Sequence, residues 1–150
     1  MISACLAGVD CKYNGENNGF KEIVELVKSG KAVLVCPEQL GGLSTPRSPC
    51  EIIEGDGKDV LRGKAKVITK EGNDVTENFI KGAEETLKIA KLYGINKAVL
   101  KERSPSCGSS IIYDGTFTSQ KRKGYGVAVA LLKQNGIEVL DEEKFGNILL

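Results

Sequence analysis

Three cysteines follow apolar segments that are typical of buried β-strands. Cys5 ends the segment MISAC, Cys36 ends KAVLVC, and Cys107 comes shortly after a further apolar run in KAVLKERSPSCGSS. In an open parallel sheet, ligands bind beyond the carboxyl ends of the strands. If these strands are parallel and adjacent, the three thiols meet at one edge of the molecule. Cysteine is also a common small core residue, but three cysteines beside Pro-, Gly- and Ser-rich loops favour a site.

The composition limits what three such thiols could do. The chain contains no histidine, which excludes histidine-activated nucleophiles and histidine-ligated metals. A structural zinc ion usually takes four ligands in closely spaced C-x-x-C pairs, and the sequence has no such pair. Iron–sulfur clusters take thiolates from distant segments. Three thiolates on a four-iron cluster would leave one iron without a protein ligand, available as a Lewis acid.

Two charged residues lie close to Cys36 along the chain. Glu38, in the segment CPE, could activate a water molecule or move a proton, although an isolated loop carboxylate is more often only solvated. Arg47, in TPRSP, could bind an anion or a carbonyl group of a substrate, or pair with a loop carboxylate. The glycines Gly41 and Gly42 between them permit a close approach of the backbone.

The loop around Cys107 offers hydrogen-bonding groups. The hydroxyls of Ser104 and Ser106 could bind a small polar ligand, or could cap the following turn. Gly108 permits close backbone approach, and the backbone N–H groups of residues 107–110, including that of Ser109, could stabilise negative charge that develops on a substrate. We therefore predict Ser106, Gly108 and Ser109 as substrate-binding residues together with Arg47.

Composition and charge are those of one globular domain. The chain has 150 residues, of which 41% are apolar and 27% charged, and its net charge is +1. This charge gives no field that would attract nucleic acid or an anionic membrane, and no apolar run reaches the length of a membrane span. The first residues lack the pattern of a signal peptide. We expect a cytoplasmic protein without a disulfide framework, because five cysteines are an odd number.

Alternating strand and helix patterns predict the fold. Strands are expected at residues 2–5, 31–36, 97–100 and 137–140, and helices at 20–29, 74–93 and 126–135. Asp74 is expected to be the N-cap of the second helix. Residues 50–69 suggest an edge hairpin, and residues 111–115 an extended segment. We predict a three-layer, Rossmann-like α/β fold with a mostly parallel sheet in a single domain, residues 1–150. No G-x-G-x-x-G follows the first strand, which argues against dinucleotide binding.

Several motifs together resemble a known family. They are, in chain order, SACLAGVDCKYNG, CPEQLGGLSTPRSPCEI, GNDVTENFIKGAEETLKIA, AVLKERSPSCGSSIIYDGTF and GYGVAVALLKQNGIEV. They resemble the motifs of the small thiouracil desulfidase family over nearly the whole chain. The chain departs from the usual family pattern at Ala7, at Lys12 and Asn14 in KYNG, and at Cys50. Lysine at position 12 lacks the planar fork of arginine.

The resemblance implies a function and its residues. Members carry an oxygen-sensitive 4Fe–4S cluster on three cysteines, and the matching positions are Cys5, Cys36 and Cys107. The fourth iron would take the sulfur of a thiocarbonyl substrate. Glu38 matches the catalytic acid of the family, and Ser104 matches the first serine of SPSCG, so the resemblance implies that both are catalytic residues. The implied reaction is non-redox: a small thionucleobase such as 2-thiouracil reacts with water to give the oxo base and hydrogen sulfide.

Other functions are compatible with parts of the sequence. Cys107 could act as a lone nucleophile at a helix N-terminus, the thiols could hold zinc, or the chain could be a small-molecule binding protein. The segment QKRKGYG, residues 120–126, could contact nucleic acid, but a short basic cluster is usually only a solvated surface. We expect no nucleic-acid or membrane partner. Cys11 and Cys50 lie within loops and are expected to be structural.

Overall fold

A computed structural model describes the backbone of residues 1–149 and the side chains of residues 1–146. The strands are β1 (Ile2–Ser3), β2 (Leu34–Val35), β3 (Cys50–Ile53), β4 (Lys66–Thr69), β5 (Lys97–Leu100), β6 (Ile111–Tyr113), β7 (Lys121–Lys123) and β8 (Glu138–Asp141). The helices are α1 (Lys21–Lys28), α2 (Pro37–Leu40), α3 (Gly57–Leu61), α4 (Thr76–Leu92), α5 (Val127–Gln134) and α6 (Glu142–Leu149). A 3₁₀ turn, Ala4–Ala7, follows β1 directly.

The central sheet has four strands in the order β2-β1-β5-β8, and all neighbouring pairs are parallel. Ile2 lies opposite Leu34 on one side and Val99 on the other. Because the strands all run in one direction, the segments that follow them leave from the same edge of the sheet. The predicted parallel sheet is confirmed.

Helices cover both faces of this sheet. Successive side chains of a strand point to opposite faces, and the core divides accordingly. Ile2 and Val99 share one apolar cluster with Ile23 of α1 and Phe145 of α6. The other face forms a cluster with α4 and α5, made by Ala98, Leu100, Val139, Ala90, Val129 and Leu132. The predicted three-layer α/β arrangement is therefore confirmed.

Residues 50–69 do not form an edge of the central sheet. β3 and β4 pair with each other in antiparallel register, Cys50 opposite Thr69, as a separate two-stranded sheet. The segment between them holds α3, whose N-cap Asp56 and Asp59 form a capping box. Ile52 and Val67 pack on the outer side of α4 and α5, against Phe79 and Val127. This packing explains why the pair is a separate layer: its apolar face covers α4 and α5 and not the central sheet.

Two predicted strands are shorter than the apolar runs that indicated them. β1 ends at Ser3, so that Cys5 lies on the 3₁₀ turn, and β2 contains only Leu34–Val35. The loop predicted after Cys36 begins with α2, which starts at Pro37. Proline suits the first helical position because its fixed φ is already helical and its missing N–H would have no partner there. These turns are too short to show helical periodicity.

One predicted boundary differs, and two elements were not predicted. The N-cap of α4 is Val75 and not the predicted Asp74, which lies one residue before the N-cap and accepts hydrogen bonds from the N–H and hydroxyl of Thr76. β7 pairs with β6 in a second antiparallel sheet. α6 follows β8 without a loop. Over residues 1–149, no helix combines the length and the apolar character that a bilayer span requires.

Candidate metal centre and active site

A cavity of about 550 Å³ opens at the carboxyl edge of the parallel sheet. The three thiols predicted from the sequence, Cys5, Cys36 and Cys107, all line it. Cys11 and Cys50 line the same cavity, and all five cysteines are free thiols. Segments that are far apart in the sequence, following β1, β2 and β5, are thus brought to one site by the parallel sheet.

Cys5 is held by the turn that follows β1. The turn ends at Gly8, whose φ of +90° is a left-handed conformation that glycine adopts without strain. The carbonyl oxygen of Cys5 accepts hydrogen bonds from the N–H groups of Gly8 at 3.3 Å and of Asn18 at 2.9 Å. The loop after the turn therefore folds back over Cys5, which is 9% exposed.

Cys36 and Glu38 are positioned by the docking of α2 on α4. A Cβ on Gly82 of α4 would come within 2.0 Å of the Pro37 carbonyl oxygen, and a Cβ on Gly41 would meet the Asn78 carbonyl oxygen at the same distance. Only glycine allows this approach at either position. The side-chain amide of Asn78 also donates a hydrogen bond to the Gly41 carbonyl at 2.9 Å. The close approach predicted for Gly41 is present, and it fixes the turn that begins at Cys36.

The Cys107 loop is bonded to the first turn of α5. The N–H groups of Val127 and Ala128 donate to the carbonyl oxygens of Pro105 and Ser106 at 2.9 and 3.0 Å. These carbonyls satisfy helix N–H groups that have no partner within the helix. The loop and the helix also pack closely, since a Cβ on Gly126 would lie 2.4 Å from the carbonyl carbon of Ser106. The α5 amides are therefore engaged by loop carbonyls and are not directed at the Cys107 thiol.

The Cys107 loop also closes around the carboxylate of Glu102, which sequence reasoning missed. Glu102 is 6% exposed and accepts hydrogen bonds from the N–H groups of Ser109, Ser110 and Ile111 at 2.8 to 3.2 Å. The Ser110 hydroxyl donates to it as well, at 2.7 Å. Behind it, Glu142 accepts a hydrogen bond from the Glu102 N–H at 2.7 Å. A buried carboxylate is stable only with such partners, so this group determines the shape of the loop.

Glu38 is held by three side chains inside the cavity. Arg47 Nε donates to its Oε1 at 3.0 Å, and both side chains are nearly buried, with 7% and 13% exposed. The Ser106 hydroxyl donates to Oε2 at 2.9 Å, whereas the Ser104 hydroxyl lies at 3.5 Å. Of the two functions proposed for Arg47 from the sequence, pairing with a loop carboxylate is the one that the structure contains.

Arg47 has little capacity left for a ligand. Besides Glu38, its guanidinium donates to the carbonyl oxygens of Ser44 and Cys11 and to the Thr45 hydroxyl. A guanidinium has five N–H groups, and four are therefore engaged. Arg47 lines the cavity, but its predicted contact with substrate stays a prediction.

The residues of the Cys107 loop that were predicted to bind substrate differ in whether they line the cavity. Ser104 and Ser106 line the cavity, and the Ser104 hydroxyl oxygen accepts hydrogen bonds from the N–H groups of Ser106 and Cys107 at 3.2 and 3.1 Å. Gly108 and Ser109 are outside the set of described residues that line the cavity. Ser109 faces Glu102, and a Cβ on Gly108 would collide with its own loop. Their predicted contact with substrate is therefore not supported by their position, although it stays a prediction.

Burial, and for three of them a neighbouring thiol, raises the pKa of Cys11, Cys36, Cys50 and Cys107. Burial raises the pKa of Cys107 to about 12, and the neighbouring Cys36 adds to this effect. For Cys36, the hydrogen bond with the Cys11 thiol and burial raise the pKa. The hydrogen bond with Cys36 lowers the pKa of Cys11, but the hydrogen bond with Cys5 and burial raise it further, to about 11. Burial likewise raises the pKa of Cys50 to about 12. An activated nucleophile would need a lowered pKa.

The thiols line one cavity, but their arrangement is not that of a site for a single metal ion. Within the described part of the chain, no three or more Cys, Asp or Glu side chains are grouped closely enough to hold a single metal ion. A tetrahedral zinc site needs four ligands around one ion. This arrangement gives the zinc alternative no support.

A second wall of the cavity comes from the two small antiparallel sheets and their loops. It contains Cys50 of β3, Tyr113 of β6 and Phe117 in the loop between β6 and β7, and Lys70 and Arg103 add positive charge to the cavity lining. The basic segment considered for nucleic-acid binding is separate from this wall: its residues 121–123 form β7 and are all exposed.

Comparisons with known proteins agree on one family. A family model described as 2-thiouracil desulfurase matches residues 1–144. An uncharacterized protein of Bacillus subtilis (strain 168), YbbK, is 51% identical over 149 residues, which cover 99% of each chain. A solved structure, the 4Fe–4S-dependent thiouracil desulfidase TudS, is similar with a TM-score of 0.86 and 39% sequence identity. The match covers 99% of this chain and 93% of that one.

Proposed function

The chain belongs to the 2-thiouracil desulfurase family, and on that premise we propose that it is a hydrolytic desulfidase for a thionucleobase such as 2-thiouracil. One water is consumed: its oxygen forms the new C=O bond, the C=S bond breaks, and the sulfur leaves as hydrogen sulfide with both protons of the water. No electron is gained or lost overall. The resemblance stated from the sequence motifs and the family match identify the same family.

Cys5, Cys36 and Cys107 would hold a 4Fe–4S cluster. Their common cavity, the burial of Cys5 and Cys107 and the free state of all three thiols support this assignment. The donor set fits the group, because thiolates are the usual ligands of such clusters and may come from distant segments. When bound, the cluster supplies an iron without a protein ligand, a Lewis acid that suits the soft sulfur of a thiocarbonyl. Binding must release the thiol protons, since only thiolates ligate metals.

Glu38 would accept the proton of the attacking water. A general base must lie within hydrogen-bonding distance of that proton, and Glu38 is the carboxylate that Arg47 and Ser106 fix inside the cavity. The hydrogen bond from Arg47 orients the carboxylate. The same carboxyl group, once protonated, can return its proton to the departing sulfur.

The two serines would orient Glu38 and the substrate. The Ser104 oxygen already accepts two backbone N–H groups, so its own proton is directed elsewhere, toward Ser106 or Glu38. Ser106 makes the shorter hydrogen bond to Glu38. Ser106 is therefore proposed as a positioning residue for the base. Ser104 stays predicted as a catalytic residue that would orient the ring of the substrate or stabilise developing charge, for which its proton would turn from Ser106 or Glu38 to the substrate.

The observation that carries this proposal is the meeting of three thiols and a held carboxylate in one cavity. Protein purified without oxygen and supplied with iron and sulfide is incubated with 2-thiouracil, and uracil and sulfide are both quantified. We expect equal amounts of the two products and no requirement for an electron donor. Uracil formation by iron-free protein, or consumption of reductant with each turnover, would refute the proposal.

A further inference from the structure

One buried polar atom has no hydrogen-bond partner among the described residues. It is the side-chain nitrogen Nδ2 of Asn18, which exposes less than 1 Å². A buried donor without an acceptor is unfavourable and rare in folded proteins. Asn18 lines the cavity that holds the thiols. The missing acceptor is therefore to be sought in whatever occupies the cavity.

The orientation of this amide is fixed by its neighbour Lys12. The Lys12 ammonium donates a hydrogen bond to Oδ1 of Asn18 at 3.3 Å. The reversed amide would bring its NH₂ group against the ammonium, where neither group could accept. The nitrogen therefore keeps its position, and the cation behind the oxygen strengthens the nitrogen as a donor.

The backbone ties Asn18 to the first of the proposed cluster ligands. The Asn18 N–H donates to the Cys5 carbonyl oxygen at 2.9 Å, and Gly19 follows where the loop returns to α1. The side chain thus belongs to the side of the cavity that Cys5 forms. The sequence pattern marked Lys12 only as a departure from the family motif, and it did not single out Asn18.

We propose that the Asn18 amide donates an N–H···S hydrogen bond to the sulfur of the cluster at the Cys5 side, either the thiolate or an inorganic sulfide. This inference rests on the proposed function. Sulfur bound to iron carries negative charge and supplies the acceptor that Nδ2 lacks. Hydrogen bonds to cluster sulfurs raise the reduction potential and stabilise the cluster. Asn18 is then a tuning residue, and Lys12 orients it.

The test compares Asn18→Leu with Asn17→Leu in the reconstituted full-length protein. Leucine keeps the volume of the side chain and removes the donor. For Asn18→Leu we expect a more negative reduction potential, followed by redox titration with spin-resonance detection. Iron release to a chelator should be about tenfold faster, as for the loss of one hydrogen bond to a charged partner. Asn17 is exposed and its amide donates to Asp10, so Asn17→Leu should leave both quantities unchanged.

A second variant keeps the inference testable if Asn18→Leu does not assemble the cluster. Lys12→Met keeps the Asn18 amide but removes the cation that orients it, and we expect shifts in the same direction that are smaller. The inference would be overturned if Asn18→Leu left the reduction potential and the rate of iron release unchanged. If Asn18→Leu assembles no cluster, the same result in Lys12→Met would overturn it. An increase in KM for 2-thiouracil alone would also overturn it, because the amide would then contact substrate. A wild-type protein that binds no cluster would refute the proposed function itself.

Discussion

The cavity has two walls of different construction. The thiol wall, which holds Cys5, Cys36 and Cys107, stands on the parallel sheet and is fixed by short turns and backbone hydrogen bonds. The outer wall, which holds Cys50, Tyr113 and Phe117 among others, comes from the two small antiparallel sheets. Under the proposed function, the thiol wall would hold the cluster, and the outer wall would contact the ring of the substrate.

The largest effect is expected from cysteine substitutions, which should distinguish the proposed cluster ligands from Cys50 in the same cavity. Cys107→Ser or Cys36→Ser should lose the bound cluster and with it all activity, because a thiolate ligand is removed. Cys50→Ser, on the outer wall, should retain iron and sulfide at the wild-type amount. Counting iron and acid-labile sulfide in anaerobically prepared variants decides this. A Cys50→Ser protein without iron would contradict the division between the walls.

Glu38→Gln should leave the cluster in place and strongly slow the reaction. The amide cannot accept the proton of water, and general acid–base groups typically contribute about 10²- to 10⁴-fold in rate. We therefore expect a fall in kcat of that order with unchanged iron content, measured by the loss of thione absorbance. A variant with normal kcat would show that the base is another group.

Glu102→Leu should lower the stability of the loop that carries Cys107. The variant leaves the N–H groups of Ser109, Ser110 and Ile111 buried without an acceptor. The loss of such a network costs about 3 kcal/mol in the free energy of unfolding. Anaerobic denaturant unfolding of the cluster-free protein measures it. The exposed Glu143, paired with Arg103 at 3.6 Å, is the control: Glu143→Gln should change stability by less than about 1 kcal/mol. Equal effects would contradict the anchoring by Glu102.

The smallest effect is expected on the outer wall. Phe117→Ala should raise KM for 2-thiouracil by about tenfold, as expected for the loss of one base–aromatic stacking contact. The same variant should keep its iron content and its kcat, since Phe117 lies in the loop between β6 and β7, outside the loop that carries Cys107. Steady-state kinetics with reconstituted protein provide the measurement. A fall in kcat with unchanged KM would place this residue in the chemistry instead.

The sequence predicted the long elements and the location of the site well. The strand before Cys107 and the helices α1, α4 and α5 have clear periodicity, and they occur within a few residues of the expected bounds. The three cysteines share one cavity as the parallel-sheet argument required. The turns that hold Cys5 and Cys36 were missed because four residues are too few to show a period.

The groups that fix the site were harder to find. Glu102 occurs in a strand-to-loop segment with no distinguishing pattern, and its partners become apparent only when the loop closes around it. The pairing of Arg47 with Glu38 was one of two functions that the sequence left open, because their nine-residue separation does not determine contact. Such contacts depend on three-dimensional packing, which local propensity does not encode.

The central claim is that three thiolates hold a four-iron cluster and leave one iron open. The most direct measurement is the Mössbauer spectrum of ⁵⁷Fe-reconstituted wild-type protein with and without 2-thiouracil. We predict that about a quarter of the iron signal changes when the substrate binds, because a single iron lacks a protein ligand. A spectrum in which no iron responds to the substrate, or one without a four-iron cluster, would contradict the account.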